Sequence, residues 1–251
     1  MILRWALGAV IALAACAPLA CTSGARAAEP MAVDLALVLA VDVSMSVDQS
    51  EAVTQRAGYI HALRDKRIAS AIKGGPIGRI AITYIEWSSP YHQVVILPWR
   101  VVSDEASAKK MADDLEATPY VPGTTTSISG GIDFSVKQFR TSDYEPSRKV
   151  IDISGDGYSD FGRPVADARD DAVKDGITIN GLAVLTPRAN NFRQPAPSDL
   201  DAYYRDNVIG GPGSFYLAVL KLEDFSRSVL QKLVLEISGL QPDRSAVTGV
   251  N

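Results

Sequence analysis

One segment constrains the fold more than any other. Val33–Val41 is a continuous apolar run broken only by Asp34, and a strand that is apolar on both sides must be covered on both faces. That is the condition of a central strand in a parallel sheet between two helical layers. The chain beyond it alternates in the same sense. Asp48–Leu63 has apolar residues at helical spacing, and Lys73-Gly74-Gly75-Pro76 is a loop. Arg79–Trp87 and Gln93–Trp99 read as strands, and the link between them is too short for a helical crossover, so it predicts an antiparallel hairpin. Helices are expected at Glu105–Ala117, Ile128–Phe139, Pro164–Asp175, Ser198–Asn207 and Glu223–Ile237, with strands at Lys149–Ser154, Ile177–Leu185 and Ser214–Leu220.

This order predicts an α/β fold: a doubly wound, mostly parallel six-stranded sheet with one antiparallel strand and helices on both faces, of Rossmann-like type. No linker inside 33–240 marks a boundary, so residues 28–240 are expected to form a single domain and 241–251 a flexible tail. Of the 251 residues 47% are hydrophobic and 22% charged, which supplies a core and excludes intrinsic disorder. Twenty-five basic residues against 29 acidic ones leave a net charge of −4, so no nucleic-acid partner is expected. His61 and His92 are the only histidines, which argues against His-based catalysis or a His-rich metal site.

The first 27 residues read as a cleaved export signal: Arg4 at the start, no charge over Trp5–Cys21, then Ala25-Arg26-Ala27 in small-x-small form. Leu13-Ala14-Ala15-Cys16 also fits a lipoprotein cleavage site, with Cys16 as the anchor. Cleavage after Ala27 is the preferred reading, and it removes both cysteines. An exported, periplasmic or secreted protein without a membrane span in its mature form is expected. Pro18 and the shortness of the apolar run argue against a spanning helix.

In open α/β sheets ligands sit beyond the carboxyl ends of the strands, and three segments there are rich in oxygen. They are Asp42-Val43-Ser44-Met45-Ser46, Gly123-Thr124-Thr125-Thr126-Ser127, and Ser154-Gly155-Asp156-Gly157. Carboxylates and hydroxyls without His or Cys suit a hard divalent cation. Mg²⁺ takes octahedral oxygen at ~2.0–2.1 Å and uses only one or two carboxylates. A metal so weakly neutralised has room for one more oxygen from outside, ideally a partner's carboxylate. The arrangement therefore looks like a metal-bridged binding site.

Together the three segments resemble the metal-ion-dependent adhesion site of von Willebrand factor type A domains, and the element order resembles that fold over 33–237. The resemblance implies that Asp42, Ser44, Ser46, Thr126 and Asp156 hold Mg²⁺, or Mn²⁺ or Ca²⁺ in its place. Thr125 or Thr124 becomes the ligand if the register of the second loop is shifted. It also implies a protein partner that offers an acidic residue. Two positions depart from the family pattern: Met45 stands where Gly is usual, and Gly155 where Thr is common. The stretch from Tyr203 to Gly213 is similar to an exported bacterial branch of such proteins known only as a domain of unknown function.

Each residue also has a plainer reading. Ser44 and Ser46 suit helix capping, the threonines an ordinary loop, and Asp156-Gly157 an ordinary turn. Trp87, Tyr91 and Trp99 beside Glu86 suit either a ligand surface or packing. Gly210–Gly213 suits an anion nest or a turn. Asp34 and Asp152, inside strands, have no role assigned. A metal-assisted hydrolase on the same edge is the alternative function, and a structural envelope protein with a decayed site is another. No catalytic constellation is read: Gly-x-Ser-x-Gly and Walker motifs are missing, and no His lies near the Asp and Ser cluster in sequence.

Overall fold

A computed structural model describes residues 29–45, 49–186 and 197–242. The expected leader, Ser46, most of the 187–197 loop and residues 243–251 lie outside the described residues. The central sheet has six strands in the order β4-β3-β2-β6-β7-β8: β2 Ala36–Asp42, β3 Ile80–Trp87, β4 Gln93–Val102, β6 Lys149–Gly155, β7 Ile177–Val184 and β8 Tyr216–Val219. Every neighbouring pair is parallel except β3 with β4. The expected α/β sheet with one antiparallel strand is thus the observed one. Strand β2 is at its centre, and all seven of its residues are buried.

Alternation along β2 divides the core. Leu35, Leu37, Leu39 and Val41 face one helical layer, formed by α1 Gln49–Arg64, α2 Lys66–Lys73, α3 Glu105–Glu116 and α7 Phe225–Ser238. Ala36, Val38 and Ala40 face the other, formed by α4 Ile128–Arg140, α5 Val165–Lys174 and α6 Leu200–Tyr203. Small residues on that second face let α4 approach closely. Gly131 lies so near Trp87 that a Cβ there would stand 2.9 Å from the indole ring.

Three elements depart from expectation. Helix α2 follows α1 after a single residue, Asp65, whose side chain accepts from the Arg67 N–H and starts a new helix. A two-stranded parallel sheet pairs β1 Met31–Val33 with β5 Tyr144–Pro146, so the first apolar run is two strands rather than one. Asp34, between them, accepts from the N–H groups of Ile77 and Gly78 at 3.0 and 2.8 Å and pins the loop that leads into β3. The helix expected at Ser198–Asn207 is α6 followed by one turn of π-helix, Tyr204–Val208.

Candidate metal centre

The carboxyl ends of β2, β3 and β6 share one rim, and backbone hydrogen bonds fasten the loops there. Val43 N–H donates to the Trp87 carbonyl at 2.9 Å, Gly123 N–H to Val43 at 2.7 Å, and Met45 N–H to Thr124 at 2.9 Å. Ser127 N–H donates to the Ser88 carbonyl at 2.7 Å, and Thr126 accepts from the N–H of Asp160 at 2.8 Å. Gly123 is packed so tightly that a Cβ would come within 2.1 Å of Ser88 Oγ. The first and second oxygen-rich segments are therefore held side by side, with the loop after β6 against the second.

The rim gathers four of the five residues expected as ligands. Asp42 ends β2 at 1% exposure, Ser44 is 1% exposed, Thr126 5% and Asp156 8%. Ser46 lies outside the described residues. Thr125 is half-buried and Thr124 exposed. The Ser44 N–H donates to Asp42 Oδ1 at 2.7 Å, which turns the chain sharply just after the strand. Ser127, fully buried, caps α4 through its bond from the Gly130 N–H, so the capping role falls to the residue after Thr126.

One buried group reports on both carboxylates. Tyr204 is fully buried in the π-helical turn. Burial, and then the charges of Asp42 and Asp156, push its hydroxyl well above the usual tyrosine value. Both acids thus act on one point beneath the rim. Gly155 lies there too: a Cβ would stand 2.8 Å from Tyr204 Oη and 3.0 Å from Asp42 Oδ2. Among the described residues no three His, Cys, Asp or Glu side chains form a metal-binding group. A cation at this rim would need hydroxyl oxygen beside the two carboxylates. The donor set fits a hard oxygen-seeking ion such as Mg²⁺ and does not suit a soft one.

Other candidate residues serve packing. Trp87 is fully buried, and Trp99 packs on Phe139 and Tyr144 at 5.7 and 6.2 Å between centroids. Tyr91, by contrast, is 96% exposed. Glu86 pairs with Arg56 at 2.5 Å, and burial pushes its carboxyl up against the pull of that guanidinium. Gly211 and Gly213 take the left-handed backbone of turn residues, φ 90° and 69°. His61 lies exposed on α1.

Sequence reading missed a buried ionic cluster on the face of the sheet that α7 covers. Lys232 Nζ, fully buried on α7, lies 2.6 Å from Asp152 Oδ1 and 2.5 Å from Glu236 Oε1. Asn180 Nδ2 donates to the same Glu236 oxygen at 2.9 Å, and its Oδ1 accepts from the Phe215 N–H. This gives Asp152 its role. The signal was Lys232 and Glu236 spaced four apart on the apolar stripe of α7, which also reads as an exposed helix pair.

Sheet order, the antiparallel edge strand and the rim loops define a von Willebrand factor type A fold. The chain belongs to the family described as a protein of unknown function, DUF1194, whose pattern matches residues 32–241. Among solved structures it is similar to proximal thread matrix protein 1 from the mussel byssus. Identity there is 13% over 84% of this chain and 50% of that one, with a TM-score of 0.60. The chain thus spans half the length of the mussel protein. A von Willebrand factor type A protein from Catenulispora acidiphila matches at 10% identity, over 82% of this chain and 43% of that one, with a TM-score of 0.58. BatB from Bacteroides thetaiotaomicron matches at 16%, over 82% and 99%, with a TM-score of 0.52. A second structure of the mussel protein has a zinc-occupied MIDAS motif, again at 13% identity, over 84% of this chain and 50% of that one, with a TM-score of 0.58. No curated protein sequence matches. No helix among the described residues is long and apolar enough to cross a membrane.

Proposed function

We propose that this protein is an exported binding module that grips a protein partner through a divalent cation at the rim of its sheet. The observation that carries this reading is the convergence of Asp42, Ser44, Thr126 and Asp156, all buried, on loops fastened to one another by backbone hydrogen bonds. Asp42 and Asp156 would supply the negative charge, Ser44 and Thr126 neutral oxygen, and Ser46 a further hydroxyl. Mg²⁺ is the preferred ion. When bound, it would offer an electrophilic position to one outside oxygen, and a carboxylate of the partner suits that position best.

The surface around the rim supports docking of a protein. Met45, Tyr91, Val121, Tyr158 and Phe161 are exposed and stand on the loops that carry or flank the four residues. Exposed apolar side chains gathered on one face are a feature of interaction surfaces. The leader supports export, with cleavage after Ala27 leaving the domain at 28–240 and a tail beyond it.

Calorimetric titration of chelator-treated protein with Mg²⁺ and Mn²⁺ tests the reading. Saturable binding at one site, lost in Asp42→Ala, is the expected result. Capture from envelope extract should then retain a partner in Mg²⁺ and release it in EDTA, and Asp42→Ala should retain none. Titration curves identical for wild type and Asp42→Ala would overturn the metal site.

A further inference from the structure

We infer that Tyr204 is a positioning residue for the rim, its hydroxyl holding the outer oxygen of Asp42 in place for a cation. The inference rests on the metal reading above and goes beyond it by assigning a residue outside the three oxygen-rich segments. Three observations carry it, all geometric.

The first is that the chain builds a slot for this side chain. Gly181 lies on β7, and a Cβ there would come within 2.6 Å of Tyr204 Cδ1. Gly155 lies at the end of the neighbouring strand β6, and a Cβ there would come within 2.8 Å of the hydroxyl. Glycine inside a strand forfeits side-chain packing and marks close approach of another group. Here two of them, on adjacent strands, admit one ring lengthwise and leave its oxygen at the rim.

The second is that the hydroxyl has no hydrogen-bond partner among the described residues, although the ring is fully buried. A buried phenol usually finds one. The third is where that oxygen points. It shares with Asp42 Oδ2 the space a Gly155 side chain would fill, so the two oxygens lie less than about 6 Å apart. Within that bound one water can bridge them, accepting from Tyr204 Oη and donating to Asp42 Oδ2, while Asp42 Oδ1 keeps its bond from the Ser44 N–H.

The π-helical turn explains how Tyr204 reaches this place. A π-turn widens a helix by one residue and redirects the side chains on it, and such turns gather at functional sites. Tyr204 opens the turn Tyr204–Val208. Its neighbour Tyr203 packs edge-on against Tyr158 at 4.9 Å, and Tyr158 donates to Asp199, so the start of the turn is fastened to the loop after β6. The departure at Gly155 then has a cause. A side chain there would displace the tyrosine hydroxyl, so that hydroxyl occupies the position instead. Outer groups that orient metal-bound carboxylates change metal affinity by about 10–100-fold when removed.

Tyr204→Phe removes the oxygen and keeps the ring. Mn²⁺ affinity of the full chain, read by electron paramagnetic resonance, should fall at least about tenfold, while the melting temperature of the metal-free protein stays within about 2 °C of wild type. A purely packing role would leave the affinity unchanged, and that result overturns the inference. Should the variant fold poorly, wild-type protein labelled at tyrosine Cζ supplies the second measurement. Titration with diamagnetic Mg²⁺ should shift the Tyr204 resonance, and an unmoved resonance at saturating Mg²⁺ overturns the inference. Asp42→Ala separates the two readings. Uptake that is lost in Asp42→Ala and intact in Tyr204→Phe keeps the metal site and removes the role of Tyr204. Wild-type protein that takes up no Mn²⁺ overturns both.

Discussion

Asp42 and Asp152 lie on neighbouring central strands, each 1% exposed, and the chain surrounds them differently. Asp152 sits in the middle of β6, opposite Leu39 in the register, beneath α7. Its charge is answered from within, by Lys232 on α7. Asp42 closes β2 at the rim, where loops and hydroxyls meet it, beside a second acid at Asp156. A buried carboxylate is tolerated when it is paired or coordinates a metal. Mid-strand, the chain must carry the cation itself. At a strand end it has the second option, and the oxygen donors of Ser44 and Thr126 suit that option.

The sharpest way to break this comparison is to remove the internal cation. Lys232→Met keeps the volume of the side chain and leaves Asp152 and Glu236 buried without it. Breaking a buried pair from one side costs about 3–5 kcal/mol, so urea unfolding should show a loss of that order. A change below about 1 kcal/mol would mean that the Lys232 ammonium does not hold the cluster together.

At the rim the expected response is to an added ion. Chelator-treated protein should gain about 2.7 kcal/mol of stability at a Mg²⁺ concentration one hundred times the dissociation constant. Asp42→Asn should lose that gain while changing little in the absence of metal. Lys232→Met, by contrast, should keep it. Equal Mg²⁺ stabilisation of wild type and Asp42→Asn would remove the distinction between the two sites.

Glu236 offers a third handle. Burial, reinforced by Asp152 and opposed by Lys232 and Asn180, pushes its carboxyl up to about 8. The folded protein therefore holds a proton that the unfolded chain releases near the ordinary value of 4.5. Stability from this group is complete below that value and is lost as pH rises to about 8. Its share of the slope is at most about 1.4 kcal/mol per pH unit. Glu236→Gln should flatten stability between pH 5 and 8, measured by urea unfolding at several pH values. An unchanged slope would place the proton elsewhere.

The fold was legible because apolar runs and amphipathic stretches alternate clearly from Val33 to Ile237. The elements missed were short ones: α2 follows α1 after Asp65 alone, and β1 and β5 have three residues each. The oxygen-rich segments were legible because each follows a strand or opens a helix, so topology alone brings them to one edge. Tyr204 was not. Its contribution depends on a π-turn and on two glycines in other strands, a relation between distant positions that no local pattern displays. Lys232 was hidden for a related reason, since a lysine four residues before a glutamate looks the same whether the helix face is wet or dry.

A carboxylate in water supplies the control for both buried ones. Asp65 caps α2 and pairs with Arg67 at 2.9 Å. The hydrogen bond from the Arg67 side chain, helped by its backbone N–H, lowers the acid to about 2 against burial. The sign is opposite to that of Glu236: this stability is present above the ordinary value of 3.8 and is lost as pH falls through about 2. The side chain is about a quarter exposed, so screening reduces what the ion pair adds, and the cap is the larger contribution. Asp65→Ala should cost about 1 kcal/mol near neutral pH, and Asp65→Asn, which can still cap, distinctly less. Both variants should leave Mg²⁺ stabilisation and the slope between pH 5 and 8 untouched. If Asp65→Ala altered either one, the influence of Asp65 would reach beyond the start of α2.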